Sequence, residues 1–294
     1  FLDTPIISPN GGAFTNQASG DIYGSDSITL KAASLVNAGA IEAKQDAALT
    51  VSGALANSGH VQADQGSITL AAGSLDSSGT LSAQRNVQAQ VTGAARNSGT
   101  LVSGQATTLS AGGFENSASG QVQSGTDLAL SAITIDNAGN LHAKGSAVIS
   151  GGDLGNAATG MLLADGALTV NSTGEASNAG LLQAGSDLTL DHAASLVNAA
   201  GATVYAGHDL NLDLALALVN DGLAYGAHAV VIAAGSADNS GILRSGGSLS
   251  LDSTGDAGSS GAVQAQQDLY LVSGGIFANR GKLYAVDGRL DVQS

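Results

Sequence analysis

The 294-residue chain contains no cysteine, no tryptophan, only two prolines, and few aromatic residues, namely five tyrosines and four phenylalanines. The absence of cysteine excludes a disulfide framework and any cysteine-ligated metal site. The 42 glycines follow no three-residue period and proline is nearly absent, which excludes collagen. A hydrophobic fraction of 43% is too high for a disordered chain. So few large rings cannot fill an ordinary globular core of this length, so the core must be built from small side chains.

Basic residues are also scarce. Nine Lys and Arg stand against 24 Asp and Glu, which gives a formal net charge of −15. Nucleic-acid binding requires basic clusters, and none is present, so we predict no nucleic-acid partner. The longest apolar run, residues 214–219, is far shorter than the ~18 residues of a membrane span, so we predict no membrane insertion. The first residues lack a basic segment followed by an apolar one, so no signal peptide is expected.

An internal repeat organises nearly the whole chain. An Asn-x-Gly element, in places stretched by one or two residues, recurs every 19 to 22 residues and defines 14 units. In two units a serine, Ser77 or Ser259, takes the place of the asparagine. In the other twelve units the element begins at Asn16, Asn37, Asn57, Asn97, Asn116, Asn137, Asn156, Asn178, Asn198, Asn220, Asn239 and Asn279.

The residues around each Asn follow a period of two, which is typical of strands with one buried face. In one unit an apolar Leu35 precedes Asn37, Ile41 and Ala43 follow it, and Leu49 and Val51 come after the next turn. Three short strands and their turns account for about 20 residues, and no unit contains a helical pattern. The sequence therefore predicts an all-β fold, a right-handed parallel β-helix (solenoid) of about 14 coils of ~20 residues, stacked about 4.8 Å apart.

Two interpretations of the Asn column are open. Each Asn can turn inward at a corner and hydrogen-bond turn backbone and the Asn of the next coil, or the column can form a polar row for a ligand. We favour the structural role, because a binding residue is not needed in every coil. The structural column comprises Asn37, Asn57, Asn97, Asn137, Asn178, Asn198, Asn220, Asn239 and Asn279. The glycine that follows, as at Gly39, Gly139 and Gly180, is expected to adopt a positive φ.

The repeat resembles the haemagglutinin repeat of filamentous haemagglutinins and contact-dependent inhibition exoproteins. The unit Leu-x-Asn-x-Gly-x-(Ile/Leu/Val)-x-Ala followed by Asp-Leu-x-Leu carries the resemblance, and Asn178-Ala-Gly-Leu-Leu-Gln-Ala-Gly-Ser-Asp-Leu-Thr-Leu is its clearest copy. The resemblance covers residues ~12 to 294.

This resemblance implies a large protein of Gram-negative bacteria that is exported by two-partner secretion through an outer-membrane transporter. It also implies a right-handed, monomeric filament at the cell surface that serves adhesion or presents distal binding or toxin domains, without a cofactor. The secretion domain and the toxin of such proteins find no match here. We therefore interpret residues 12–294 as a single β-helix repeat domain from a longer shaft. Residues 1–11, which hold both prolines, are predicted to form an irregular segment that leads into it.

A catalytic role is the remote alternative. Enzymatic β-helices, such as polysaccharide lyases, need Asp or Glu clustered with Lys or Arg and long loops that build a cleft. The nine basic residues here are scattered, and the unit length varies by only three residues. We predict no catalytic residues.

One outward column is the best candidate for contact with a receptor. It carries four of the five tyrosines, and in this column Tyr205, Tyr225 and Arg244 fall in consecutive coils, with Tyr284 further on. Tyr and Arg are frequent in binding hot spots, and aromatic faces suit sugars, so these four residues could contact a host or neighbouring-cell glycan or protein. The alternative, which we favour, is a structural ladder of exposed aromatic residues.

Two further pairs fall in register in neighbouring coils. Asp187 and Asp209 could share a cation, and His208 and His228 could bind Zn²⁺ or act as a pH-sensitive pair. No third ligand for the histidines is evident from the sequence. We favour solvated turn residues and predict no metal site.

Overall fold

The computed structural model describes residues 6–9 and 11–294, and every regular element among them is a β-strand. The chain forms two compact units, residues 1–145 (unit 1) and residues 146–294 (unit 2). Each unit stacks about seven coils in which equivalent strands pair in parallel. The prediction of an all-β, parallel β-solenoid of about 14 coils is confirmed. Its right-handed sense stays a prediction.

The described residues of unit 1 form 17 strands, numbered in chain order. They are β1 Ile6–Ile7, β2 Ala13–Asn16, β3 Asp21–Gly24, β4 Ile28–Ala32, β5 Ser34–Asn37, β6 Ala40–Ala43, β7 Ala47–Asn57, β8 His60–Ala63, β9 Ile68–Ser77, β10 Thr80–Ala83, β11 Val87–Val91, β12 Ala94–Asn97, β13 Thr100–Ser103, β14 Thr107–Asn116, β15 Gln121–Ser124, β16 Leu128–Asn137 and β17 Asn140–Ala143.

Unit 2 contains the remaining strands, β18 to β36. They are β18 Ala147–Asn156, β19 Met161–Ala164, β20 Leu168–Ser172, β21 Glu175–Asn178, β22 Leu181–Ala184, β23 Leu188–Asn198, β24 Thr203–Ala206, β25 Asp209–Asn220, β26 Leu223–Gly226, β27 Ala229–Ala234, β28 Ser236–Asn239, β29 Ile242–Ser245, β30 Leu249–Ser253, β31 Ala257–Ser259, β32 Ala262–Ala265, β33 Leu269–Ser273, β34 Phe277–Asn279, β35 Lys282–Ala285 and β36 Leu290–Gln293.

Each coil presents three faces. Face 1 is a four-residue strand such as β8, face 2 is the first part of a strand such as β9, and face 3 is its last part, which ends at the Asn position. In some coils faces 2 and 3 form one continuous strand, as in β9. In others they are separate strands, as in β11 and β12, which pair with the two parts of β9.

The interior is filled by columns of small aliphatic side chains, because the period of two turns every second residue inward. One column in unit 1 runs through registered, fully buried positions. Its members are Leu30, Leu49, Leu70, Ala89, Leu109 and Leu130. Each coil alone has too little apolar surface to offset the entropy of ordering its backbone, so the stacking of coils stabilises the fold. A narrow core of this kind explains why the chain needs so few aromatic residues.

The prediction of a positive φ at the corner glycines is wrong. Among the described residues, the glycines with positive φ are Gly11 and Gly201, and the corner glycines such as Gly39, Gly139 and Gly180 are not among them. Their glycine is required by close approach instead, since a Cβ at Gly180 would lie well inside 3.0 Å of the carbonyl oxygen of Gly160 in the preceding coil. Stacking of the corners, and not the turn dihedral, selects glycine here.

Part of the predicted irregular segment, residues 1–11, lies outside the described residues, and Pro5 belongs to that part. Of the described part, β1 pairs in parallel with β4, and the carbonyl of Pro9 accepts a hydrogen bond from the backbone N–H of Gly12.

Candidate functional site

The Asn column of unit 1 forms a buried chain of side-chain hydrogen bonds, which we call the Asn ladder. Asn16 Nδ2 donates to Asn37 Oδ1 at 2.8 Å, and Asn37 Nδ2 donates to Asn57 Oδ1 at 2.8 Å. Further along, Asn97 donates to Asn116, and Asn116 donates to Asn137, at 2.9 Å each. The same Nδ2 atoms also reach carbonyl oxygens of the next coil, as that of Asn37 does to His60 O at 3.1 Å. The Asn side chains thus hydrogen-bond to one another and also to backbone carbonyl groups at the corners.

Unit 2 repeats this ladder over five coils. Nδ2 of each Asn donates to Oδ1 of the next at 2.7 to 2.9 Å, through Asn156, Asn178, Asn198, Asn220 and Asn239. The side chains are at most 2% exposed. A soluble ligand cannot reach atoms buried this deeply whose donors are already used, so the geometry favours the structural role for this column.

The two serines in the column interrupt the ladder. Asn57 Nδ2 lies 3.4 Å from Ser77 Oγ, and Asn239 Nδ2 donates to Ser259 Oγ at 3.0 Å. The serine side chain is shorter and does not continue the series of hydrogen bonds to the next coil. After Ser77, Asn97 Oδ1 in the following coil is buried without a hydrogen-bond partner. Asn279 is exposed, and its Oδ1 accepts from the N–H of Gly281.

The outward column on face 1 of unit 2 brings together three of its four predicted contact residues. We call Tyr205, Tyr225 and Arg244 the Tyr patch. Its two rings lie 5.4 Å apart between centroids at an angle of 31°, and Arg244 Cζ lies 5.7 Å from the centre of the Tyr225 ring. Tyr284 is separated from Arg244 by the coil of Gln264 and is 47% exposed.

A groove runs beside the Tyr patch. Its volume is about 780 Å³, and its lining includes Thr203, Leu223 and Ile242, which lie two residues before the patch residues on the same strands. Aromatic faces beside a groove of this size suit a ring-shaped or extended ligand, since small-ligand pockets measure about 300–1,000 Å³. The groove also reaches Arg280 and Lys282.

Two histidines and two aspartates meet at the turn that precedes face 2 in unit 2. The rings of His208 and His228 stack, with centroids 4.5 Å apart and an interplanar angle of 6°. His208 Nδ1 lies 2.9 Å from Asp187 Oδ1 and 3.3 Å from Asp209 Oδ2, while His228 Nδ1 lies 2.7 Å from Asp209 Oδ1. The backbone N–H of Asp209 and then the side chain of His208 hold the pKa of Asp187 below its ordinary value. The contacts therefore run from Asp187 to His208, from His208 to Asp209 and from Asp209 to His228.

Sequence reasoning paired the histidines with each other and the aspartates with each other, and it missed that Asp209 contacts both rings. A sequence signal for this contact does exist. Asp209 directly follows His208 in the chain, and His228 holds the position of His208 in the next coil. His60 and His192 have other partners, since His60 contacts Glu42 at 2.7 Å and His192 contacts Asp191 at 2.8 Å.

Other polar contacts on the surface lie between neighbouring coils or within one coil. Arg96 Nε donates to Glu115 at 3.0 Å. Asp268 accepts the backbone N–H of Arg289 at 2.8 Å and the hydroxyl of Tyr270 at 3.0 Å. These bonds lower the pKa of Asp268, and the same carboxylate raises the pKa of Tyr270. These groups are exposed or, in the case of Asp268, half-buried, so the contacts add little to stability.

None of the described residues belongs to a helix long and apolar enough to cross a membrane.

The coil architecture and its buried Asn ladder define a structural repeat protein. Comparison with family models gives five successive matches to the haemagglutinin repeat, over residues 10–85, 76–158, 142–199, 187–256 and 244–292. The chain therefore belongs to the haemagglutinin repeat family, as its sequence resemblance predicts. The comparison with curated proteins gave no match, and neither did the comparison with solved structures. The family is of a structural, adhesin type and is not known for enzymatic activity.

Proposed function

We propose that this chain is part of the extracellular shaft of a large secreted bacterial surface protein. The protein is an adhesin or a contact-dependent inhibition exoprotein, and its binding or toxin domains lie elsewhere in its sequence. An outer-membrane transporter of two-partner secretion exports it to the cell surface, where the shaft works as a monomeric spacer. Family membership supports this proposal, and so do surface contacts that join one coil to the next, such as those of Arg96 with Glu115 and of Asp268 with Arg289.

The proposal rests mainly on one observation, which is that neighbouring coils align residue for residue. Residues 80 to 83 pair position for position with residues 60 to 63, and the corner and ladder positions repeat with them. In a spacer each coil contributes length, and no single coil is needed for the fold of its neighbours.

Deletion of residues 60–79 tests this directly. We expect the shortened chain to fold, because Thr80 then follows Gly59 in the register that His60 holds now. The deletion also removes Ser77 and places Asn57 one coil from Asn97, whose Oδ1 lacks a donor. Circular dichroism and urea unfolding are expected to show native strand content and an unfolding free energy within about 2 kcal/mol of the parent.

Deletion of residues 60–69 is the matched control. It removes half a coil and turns the following strands onto the wrong faces, so we expect it to abolish cooperative unfolding. An unfolded or aggregated 60–79 variant, or a folded 60–69 variant, would contradict the spacer proposal.

A second candidate function is favoured by the Tyr patch. In this proposal the patch and its groove contact a glycan or protein of a host or neighbouring cell, which makes the segment an adhesive module. The stacked tyrosines, the arginine over the second ring and the adjacent groove support it. Buried aromatic and arginine side chains are the residues that most often dominate binding energy.

The double variant Tyr205→Ser/Tyr225→Ser tests the adhesive module on a glycan array. We expect the parent chain to bind a subset of the array and the variant to lose at least tenfold in affinity, about 1.4 kcal/mol, because both stacking faces are gone. The control is Tyr23→Ser/Tyr270→Ser, which removes two exposed tyrosines outside the patch. Equal binding by the parent and the patch variant, or an equal loss in the control, would exclude the patch as a glycan site.

A further inference from the structure

The His–Asp cluster of unit 2 is held in place by coil stacking. The backbone N–H of His228 donates to the carbonyl of His208 at 2.9 Å, and that of His208 donates to the carbonyl of Ser186 at 3.0 Å. The side chain of Asp187 accepts the backbone N–H of Asp209 at 3.1 Å. The side chains of His208, Asp209 and His228 therefore start from backbone positions fixed by the solenoid, and little ordering is needed to bring them together.

The potential ligand atoms of this cluster converge. One ligand atom from each of His208, Asp209 and His228 lies within 4.8 Å of the other two. In tetrahedral zinc sites with bonds of about 2.0–2.1 Å, neighbouring ligand atoms lie about 3.3 Å apart. His208 Nδ1 and Asp209 Oδ2 already have this separation, at 3.3 Å. His228 Nδ1 lies 2.7 Å from the other oxygen of the same carboxylate, Asp209 Oδ1, so this pair must open by about 0.6 Å to reach that separation.

We propose that His208, Asp209 and His228 form a binding site for a divalent transition-metal ion of the zinc class. Each histidine supplies a ring nitrogen and Asp209 supplies a carboxylate oxygen, which leaves a coordination position for water or for a group of another molecule. The ion joins two neighbouring coils. It would hold these two coils together through the same side chains that contact one another directly in the structure.

The ligand set selects the metal. Two imidazole nitrogens and one carboxylate suit Zn²⁺, Ni²⁺ and Cu²⁺, whereas Ca²⁺ requires six to eight oxygen ligands and Mg²⁺ an octahedron of oxygens. The rings are 54% and 67% exposed, so an ion can enter from solvent, while Asp209 is 28% exposed. The net charge of −15 raises the concentration of cations near the surface.

The sequence alone shows no third ligand for the in-register histidines and favours solvated turn residues. The structure supplies that ligand in Asp209, with Asp187 beside it. Because the rings now stack at 6°, at least one of them must turn about its side-chain torsions for both nitrogen lone pairs to point at one ion, and both rings are exposed enough to turn.

Isothermal titration of the 294-residue protein with zinc chloride tests the proposal. We expect one site per chain with micromolar affinity, and no comparable heat with calcium or magnesium chloride. In His208→Asn/His228→Asn the affinity is expected to fall at least about tenfold, since removal even of partners outside the ligand set weakens metal sites by 10–100-fold. Asp209→Asn is expected to weaken binding in the same direction.

The matched control is His60→Asn/His192→Asn. It also removes two histidines, each of which contacts one carboxylate and belongs to no histidine pair. Circular dichroism must show native strand content in all variants, and zinc is expected to raise the melting temperature of the parent and of the control only. Absence of binding to the parent, equal affinity in the His208/His228 variant, equal loss in the control, or calcium binding as tight as zinc would each overturn the proposal.

Discussion

Replacement of Asn198 by alanine is expected to lower the free energy of unfolding by about 3 kcal/mol. Asn198 is fully buried, its Oδ1 accepts from Asn178 at 2.9 Å, and its Nδ2 donates to Asn220 Oδ1 at 2.8 Å. The same nitrogen donates to the carbonyl of Leu223 at 3.1 Å. Alanine leaves these buried acceptors without this donor and opens a gap in the ladder. Urea unfolding followed by circular dichroism measures the loss.

The control for this variant is Asn171→Ala on the neighbouring coil. Asn171 is an exposed residue of β20, so its replacement should change the unfolding free energy by no more than about 0.5 kcal/mol. If the two variants are equally stable, the Asn ladder is not a source of stability. Native-state hydrogen exchange locates the effect, and we expect the largest loss of protection in the coils on either side of Asn198.

Replacement of Gly59 by alanine is the second large effect, with an expected cost of about 3 kcal/mol. An added Cβ would overlap the carbonyl oxygen of Gly39, well inside 3.0 Å. That oxygen accepts the backbone N–H of His60 at 3.0 Å, so the coils cannot separate without weakening this bond. The atom that is hit belongs to the backbone, and no rotamer change can relieve it.

The matched control for Gly59→Ala is Gly113→Ala in the same unit. The nearest atom to a Cβ at Gly113 is Thr134 Oγ1 at 3.2 Å, the end of a side chain that can rotate. We expect this variant to differ from the parent by about 0.5 kcal/mol in urea unfolding. Gly→Ala lowers the entropy of the unfolded chain and by itself favours folding. A stability loss at Gly113 as large as that at Gly59 would therefore mean that close approach to a backbone carbonyl of the preceding coil does not explain the cost at the corners.

The repeat made the fold predictable from the sequence. A period of two around each Asn, repeated 14 times, determines which side chains face inward, and the observed registers follow it, as Leu81 with Leu101 and Val61 shows. The outward column was predictable for the same reason, and the approach of Tyr205 to Tyr225 is a consequence of their register.

Contacts that depend on exact side-chain direction were not predictable. The role of Asp209 between two histidines depends on rotamers at a turn, where a strand period gives no guidance. The corner glycines were assigned to the correct positions but for the wrong reason. A sequence indicates that glycine is needed, and it does not distinguish a positive φ from a carbonyl of the neighbouring coil, as at Gly139.

The short reach of the ladder bears on the order in which the chain folds. Its most distant partners are 25 residues apart, as for Asn156 Nδ2 and the carbonyl of Leu181. A coil can therefore close its hydrogen bonds as soon as the next coil is free, with little loop entropy to overcome. A polypeptide that emerges from a pore end first can then fold vectorially, each finished coil serving as the template for its successor. Such progressive folding also opposes backward sliding through the pore.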